Sequence, residues 1–419
     1  MDKFIINGKQ KLSGKITVSG AKNSALKIIA ATILLKEPVT ISNVPDLMDV
    51  RTMQKVLEKL GATVEYCKDS STMKIDPSTI NSYRAPYELV KTMRASFQVM
   101  GPLLARFGNA EISLPGGCNF GPRPVDFHLK AFEQMGATIT TEHGYICAKA
   151  EKLIGNHIYF DFPSVGATEN VIMAASLTEG VTIIENAAKE PEVVDLVNFL
   201  KLCGAKIQGE GTGRVRIEGV KELQARDFTV LSDRIEAGTF VLASLVTNSP
   251  LEIVGAPISA LEVFLEKLRL CGHEFEVHQH SLVVKPSPNP KAIKFTALPH
   301  PGFPTDLQAP MTAYLSTVEG TSLATEGVYE NRFVYISELN RMGASIELDG
   351  NKAYISGQEQ LSGAQVMASD LRAGAALVIA ALGAEGTTEI NRVYHIDRGY
   401  DDLVGKLSDV GANIQRVKR

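Results

Sequence analysis

The sequence predicts an α/β protein of six repeated modules, arranged as two domains of three. Three observations predict it. A glycine that ends a helix and opens a strand recurs six times, at Gly61, Gly136, Gly204, Gly272, Gly343 and Gly411, at intervals of 75, 68, 68, 71 and 68 residues. A second helix, apolar on nearly every side, recurs upstream of each of these points. The chain has 419 residues, more than one ordinary core holds at about 150 residues per domain.

The elements follow in chain order. Met1–Gly8 reads as a strand, with no signal-peptide pattern. It has no module of its own and is expected to pair with the last one. The apolar helices are Ala21–Leu35, Leu89–Phe107, Ser164–Glu179, Ser232–Thr247, Asp306–Val318 and Asp370–Ala384, rich in Ala, Gly, Ser and Met. A helix apolar all round is buried. A short strand follows each, as in Thr182–Glu185 and Thr388–Ile390. Next comes an amphipathic helix such as Val56–Leu60, then the glycine, which takes a left-handed cap at little cost. The residues after it alternate, as in Ala62-Thr63-Val64-Glu65, and form strands. A repeat near 70 residues is too long for a solenoid. The polar stretch Lys221–Asp227 lies between modules three and four and marks the domain split.

Composition narrows the function classes. Hydrophobic residues are 44% and charged residues 21%, a globular balance. Net charge is −4, and no basic stripe carries interleaved aromatics, so no nucleic-acid partner is expected. The longest apolar run, Ala373–Ala384, falls short of the roughly 20 residues a bilayer span needs, so no membrane is expected either. The cysteines, at 67, 118, 147, 203 and 271, are odd in number and lack a C-x-x-C pair. This fits a reducing cytoplasm and argues against structural zinc. Small buried thiols are expected at Cys67, Cys147, Cys203 and Cys271. Gly209–Gly213 precedes a strand rather than a helix and reads as a hairpin turn, not a phosphate loop. His278 and His280 have no adjacent third ligand and read as a solvated edge.

Polar residues gather where the apolar helices start: Lys22-Asn23, Arg94, Ser164-Val165-Gly166, Asp233-Arg234, Thr305-Asp306 and Asp370-Leu371-Arg372. Each could be an ordinary cap or rim charge. Their recurrence instead suggests a site: helix N-termini converging on one cleft bind a multiply anionic ligand, and Lys or Arg adds full charge. Thr305 is itself a good cap, which leaves Asp306 to point into the cleft. A second cluster, Pro115–Asp126, interrupts module two. Its Gly and Pro content suits a mobile lid, and Cys118 near Arg123 is either a small structural thiol or a reactive one.

Several of these stretches form one set: Lys22-Asn23, Met93–Ser96, Pro115–Cys118, Arg123–Asp126, Ser164–Thr168, Pro301–Asp306, Glu330–Phe333, Asp370–Arg372 and Tyr394–Tyr400. In this order, over the whole chain, the set closely resembles the UDP-N-acetylglucosamine enolpyruvyl transferases of the EPSP synthase superfamily. The resemblance implies two inside-out α/β barrel domains with buried helices. Residues 22–229 would form the first, carrying the Cys lid; residues 1–21 and 230–419 would form the second. It implies transfer of the enolpyruvyl group of phosphoenolpyruvate to the 3′-hydroxyl of UDP-N-acetylglucosamine, through a tetrahedral intermediate, in the first committed step of peptidoglycan synthesis. No cofactor and no metal are implied, and a monomer is the expected state. Lys22, Arg123 and Arg398 would hold the phosphate of phosphoenolpyruvate, Arg332 and Arg372 its carboxylate, and Asn23 would assist at the reacting centre. Arg94, Arg123, Pro124, Val125, Asp126, Phe127, Ser164, Val165, Gly166, Asp306 and Val328 would contact the UDP-sugar. Cys118 would donate the proton, and Asp306, facing it, would take the hydroxyl proton.

One position departs. Many relatives carry Lys where this chain has Phe162, so no diphosphate-binding Lys is carried over. Two rivals remain to be separated. The shikimate-pathway enolpyruvyl transferases share the fold but lack the Pro-Gly-Gly-Cys lid. A non-catalytic paralogue that keeps the UDP-sugar site would not need Lys22, Cys118, Asp306 and Arg398 together.

Overall fold

The computed structural model describes residues 2–91, 93–113 and 125–418, with the main chain alone at Arg94. The chain divides into two units, one of residues 20–113 and 125–231, the other of residues 2–19 and 232–418. Each has its own apolar core.

Each unit holds three four-stranded sheets of one pattern. A parallel pair comes first, and two antiparallel partners follow. In the first sheet Phe228–Thr229 pairs parallel with Val39–Ser42, which pairs antiparallel with Thr72–Asp76, and that with Thr63–Cys67. The sixth sheet keeps the pattern by borrowing: Lys3–Asn7 lies antiparallel between Thr387–Asn391 and Asn413–Val417. The segment before Ala21 supplies a second strand as well, Lys15–Thr17, parallel to Leu251–Val254.

The two helix classes separate by burial. In Met48–Leu60 the buried residues Val50, Met53, Val56, Leu57 and Leu60 recur at three and four, the spacing of a one-sided helix. The apolar helices are buried throughout: all but one residue of Lys22–Ala31, and all of Gln308–Leu315. Close packing among them needs small residues. A Cβ on Gly101 would lie 2.3 Å from the carbonyl oxygen of Asn170 on the neighbouring helix, so no larger residue fits there. The six module glycines all have φ between 90° and 105°.

Two apolar helices depart from the expected continuous form. Leu89–Phe107 is broken into Tyr87–Val90, a 3-10 stretch Arg94–Val99 and an α-helix Met100–Phe107. The fifth helix likewise begins with 3-10 residues Thr305–Leu307 before Gln308–Leu315. The cause is the same in both. Pro102 and Pro310 sit third in their α-helices, where no N–H is missed, but each ring clashes with the carbonyl four residues back. The α-helix cannot extend further upstream.

Cys67 is exposed on an edge strand, against the expectation of a buried thiol; its alternating strand points it outward. Cys147, Cys203 and Cys271 are buried. Gly209–Gly213 is a hairpin turn between Lys206–Gln208 and Arg214–Glu218. No described helix is long and apolar enough to cross a membrane, and the described residues contain no cluster of metal-ligating side chains.

Candidate active site

In the 20–231 unit the polar residues sit at three helix starts. Helix Lys22–Ala31 begins after Ala21, which has no side chain to cap it. Its first turn is held from outside. Lys22 Nζ lies 3.3 Å from Asp49 Oδ2. Ser24 Oγ donates a hydrogen bond to Asp195. Lys27, one turn on, donates to the Asn23 carbonyl at 2.9 Å and pairs with Glu169 at 3.1 Å. Burial pushes the Glu169 carboxyl up to about 7 despite Lys27, and the Asp195 carboxyl up to about 6 despite Ser24.

Ser164 caps helix Val165–Ala175 in the ordinary way, accepting from Ala167 N–H at 3.4 Å. Val125 precedes helix Asp126–Gln134, whose Phe127 ring packs on Phe160 at 5.8 Å. The two helices are joined through Asn170, which donates to His128 Nδ1 at 3.0 Å and accepts from Gly101 N–H at 2.7 Å. His128 and Gln98 close over Gly166: a Cβ there would lie 3.1 Å from Gln98 Nε2 and 3.3 Å from His128 Nε2. Phe162 is substantially exposed, two residues before Ser164. Cys118, Arg123 and Pro124 lie outside the described residues, as does the side chain of Arg94.

In the other unit, Asp233 and Asp370 are helix caps. Each accepts from two backbone N–H groups at 2.7 and 3.1 Å, so the plain cap reading holds for both. Thr305 and Asp306 behave otherwise than expected. The Thr305 hydroxyl donates to Glu326 at 2.8 Å instead of capping. Asp306 does not point freely into open space: Oδ1 takes Arg332 Nη2 at 2.7 Å and Oδ2 takes Arg372 Nη2 at 2.9 Å. Both arginines are almost fully buried, and a buried guanidinium demands an anion. Burial alone would raise the Asp306 carboxyl, but Arg372 and Arg332 outweigh it and hold it far below the usual carboxylate range. Arg372 also donates to the Tyr400 hydroxyl at 3.3 Å. Val328 follows strand Thr321–Glu326, its N–H held by Glu326 at 2.8 Å. Arg398 ends the 3-10 stretch Val393–Arg398, two residues before Tyr400.

The structure thus joins Asp306, Arg332 and Arg372 in one unit, and the starts of helices 126–134 and 165–175 in the other. Sequence reasoning missed Lys27, Asp49, Glu169 and Asp195 around the first turn, and Glu326 behind Val328. A signal existed for two of them. Lys27 and Glu169 are charges inside apolar helices, and a buried charge requires a partner. Two guanidinium groups fixed side by side can grip a carboxylate or phosphate, and a lysine at a helix N-terminus can bind another anion.

Residues 6–407 match the family model of EPSP synthase (3-phosphoshikimate 1-carboxyvinyltransferase). The chain is 52% identical over 419 residues to UDP-N-acetylglucosamine 1-carboxyvinyltransferase 2 of Carboxydothermus hydrogenoformans, covering 100% of both. It is 51% identical over 414 residues to UDP-N-acetylglucosamine 1-carboxyvinyltransferase 1 of Caldanaerobacter subterraneus subsp. tengcongensis, covering 99% of both. Among solved structures it is similar to the enolpyruvyl transferase NikO from Streptomyces tendae, with a TM-score of 0.92 and 27% identity over 100% of this chain and 99% of that one.

Proposed function

The chain belongs to the EPSP synthase family, and from that premise we propose that it transfers the enolpyruvyl group of phosphoenolpyruvate to the 3′-hydroxyl of UDP-N-acetylglucosamine, releasing phosphate, as the first committed step of peptidoglycan synthesis. The observation that carries this reading is 52% identity over the whole chain to a protein of that activity by name. The shared fold alone would serve the shikimate-pathway rival equally well.

The chemistry is addition then elimination. The 3′-oxygen bonds to C2 of phosphoenolpyruvate as C3 takes a proton and a base takes the hydroxyl proton. The C2–O bond to phosphate then breaks as C3 gives a proton up. In this reading Cys118 is the proton donor, on a lid formed by residues 115–121, and Asp306 is the base. Lys22, Arg123 and Arg398 hold the phosphate, Asn23 assists, and Arg332 and Arg372 take the carboxylate. The geometry favours the last assignment, since two buried guanidinium groups already grip one carboxylate, that of Asp306. Arg94, Val125 to Phe127, Ser164 to Gly166 and Val328 contact the UDP-sugar, with Arg123 and Pro124. Each unit reads as an inside-out α/β barrel, supported by three like sheets per unit and buried helices. The chain acts as a monomer in the cytoplasm.

The test is phosphate release with both substrates present. Turnover with UDP-N-acetylglucosamine and none with shikimate 3-phosphate is expected. Turnover with shikimate 3-phosphate would favour the rival, and none with either would favour a non-catalytic paralogue.

A further inference from the structure

Helix Lys22–Ala31 starts without a cap of its own. Its N-cap is Ala21, and no acidic residue lies in its first turn. The apolar helices beginning at Val165, Arg234 and Leu371 have Ser164, Asp233 and Asp370 for this purpose. The helices beginning at Met100 and Gln308 also lack a side-chain cap, but each continues a 3-10 stretch; the turn that carries Lys22 and Asn23 starts directly from extended chain. Carboxylates from three other helices hold it, each at a different residue. Asp49 meets Lys22, Asp195 accepts from Ser24, and Glu169, through Lys27, fixes the Asn23 carbonyl. Asp195 also accepts from the Leu231 N–H at 3.2 Å, which anchors the carboxylate itself. Glu169 is fully buried and Asp195 nearly so, so neither can reach a substrate. Apolar side chains of similar size would fill these positions at no cost in buried charge.

We propose that Asp195 and the Lys27–Glu169 pair are positioning residues that fix the Lys22–Asn23–Ser24 turn against the reacting groups. This rests on the enolpyruvyl-transfer reading. It adds residues that act through the turn without touching substrate.

The test uses Asp195→Ala, Asp195→Asn, Ser24→Ala and the Ser24→Ala/Asp195→Ala double variant, with phosphate release and thermal unfolding measured on each. Asp195→Ala should lower kcat about 10- to 100-fold, the scale expected for a reacting group displaced by about 1 Å, with KM for UDP-N-acetylglucosamine within about twofold. Asp195→Asn keeps an oxygen that can accept from both Ser24 and Leu231, and should recover most of kcat. Ser24→Ala should reproduce the loss, and the double variant should lose no more than either single one. Ser24→Ala decides the matter alone if Asp195→Ala fails to fold. Unchanged kcat in the variants beside an active wild type, whatever their thermal stability, overturns the proposal. So does a double variant whose losses multiply. An inactive wild type overturns the transfer reading, and this proposal with it.

Discussion

Asp306 places one carboxylate oxygen on each of two buried guanidinium groups, and this sets what the side chain can do. A general base works best with a pKa near the working pH. Here the arginines hold the carboxyl far below that, so Asp306 can act as the base only when they are engaged by something else. An incoming carboxylate offers them the same two oxygens. Replacing Asp306 by Asn keeps the shape but leaves two buried cations without their anion. The variant should melt roughly 5–10 °C below the wild type, because breaking a buried ion pair is costly. It should bind phosphoenolpyruvate more tightly, by about tenfold as one lost competitor for the arginines, and the bound anion should restore most of the melting temperature. Turnover should fall by about 10²–10⁴. Calorimetry of phosphoenolpyruvate binding, with UDP-sugar present, checks this. Weaker binding in Asp306→Asn would mean that Asp306 helps to hold the donor and does not occupy the place of its carboxylate.

At the scale of elements, the fourth module breaks the repeat in an informative way. Five modules follow their glycine with a nearly buried alanine: Ala62, Ala137, Ala205, Ala344 and Ala412. The fourth has His273, whose Nε2 meets the Tyr314 hydroxyl on the fifth apolar helix at 2.6 Å while Nδ1 accepts from Ser287 N–H at 2.9 Å. Burial pushes the ring down to about 4 from 6.5. The unfolded chain therefore takes a proton between pH 6.5 and 4 that the folded one refuses, and stability is lost as pH falls through that window, by about 3 kcal/mol. Glu169 and Glu236, both raised to about 7, favour the folded state over part of the same descent, so the slope of the wild type alone is not diagnostic. In urea unfolding across pH 4–6.5, His273→Ala should be less stable throughout but lose less on acidification. Parallel slopes would mean that the imidazole titrates normally. Elements of this kind were legible in the sequence where one residue forces the backbone: six cap glycines gave six helix ends. The 3-10 stretches upstream of Pro102 and Pro310 went unread although the signal was local, a proline ring against the carbonyl four residues back. In the site, Lys22, Asp306 and Arg372 stood out as polar residues at helix starts, but their partners Asp49 and Arg332 come from elements that only the fold brings near.

At the scale of the whole molecule, the six modules form a cycle that the chain enters part-way. It leaves one unit at Ser19, builds the other, and returns at Ser232. Three sheets are completed by strands far away in sequence. Phe228–Thr229 joins Val39–Ser42, Lys15–Thr17 joins Leu251–Val254, and Lys3–Asn7 fills the sixth sheet. That last strand takes the place in the sixth sheet that Thr72–Asp76 takes in the first. Lys3 stands opposite Val417 in the antiparallel register, so a turn of a few residues between Lys418 and Asp2 would make an ordinary hairpin. New ends can open at the exposed turn His143-Gly144, between strands Thr138–Glu142 and Tyr145–Lys149. Such a permuted chain keeps every strand pair named here, and termini that lie side by side tolerate this change. It should melt within a few degrees of the wild type and keep its turnover. Deleting residues 2–7 instead strips a partner from both neighbours of the central strand, and should collapse the unit of residues 232–418 while the apolar core of the other is left intact. Thermal unfolding of the two chains separates the outcomes. A permuted chain that fails to fold beside a stable deletion would mean that the order of synthesis, and not the pairing of Lys3–Asn7, makes the sixth sheet.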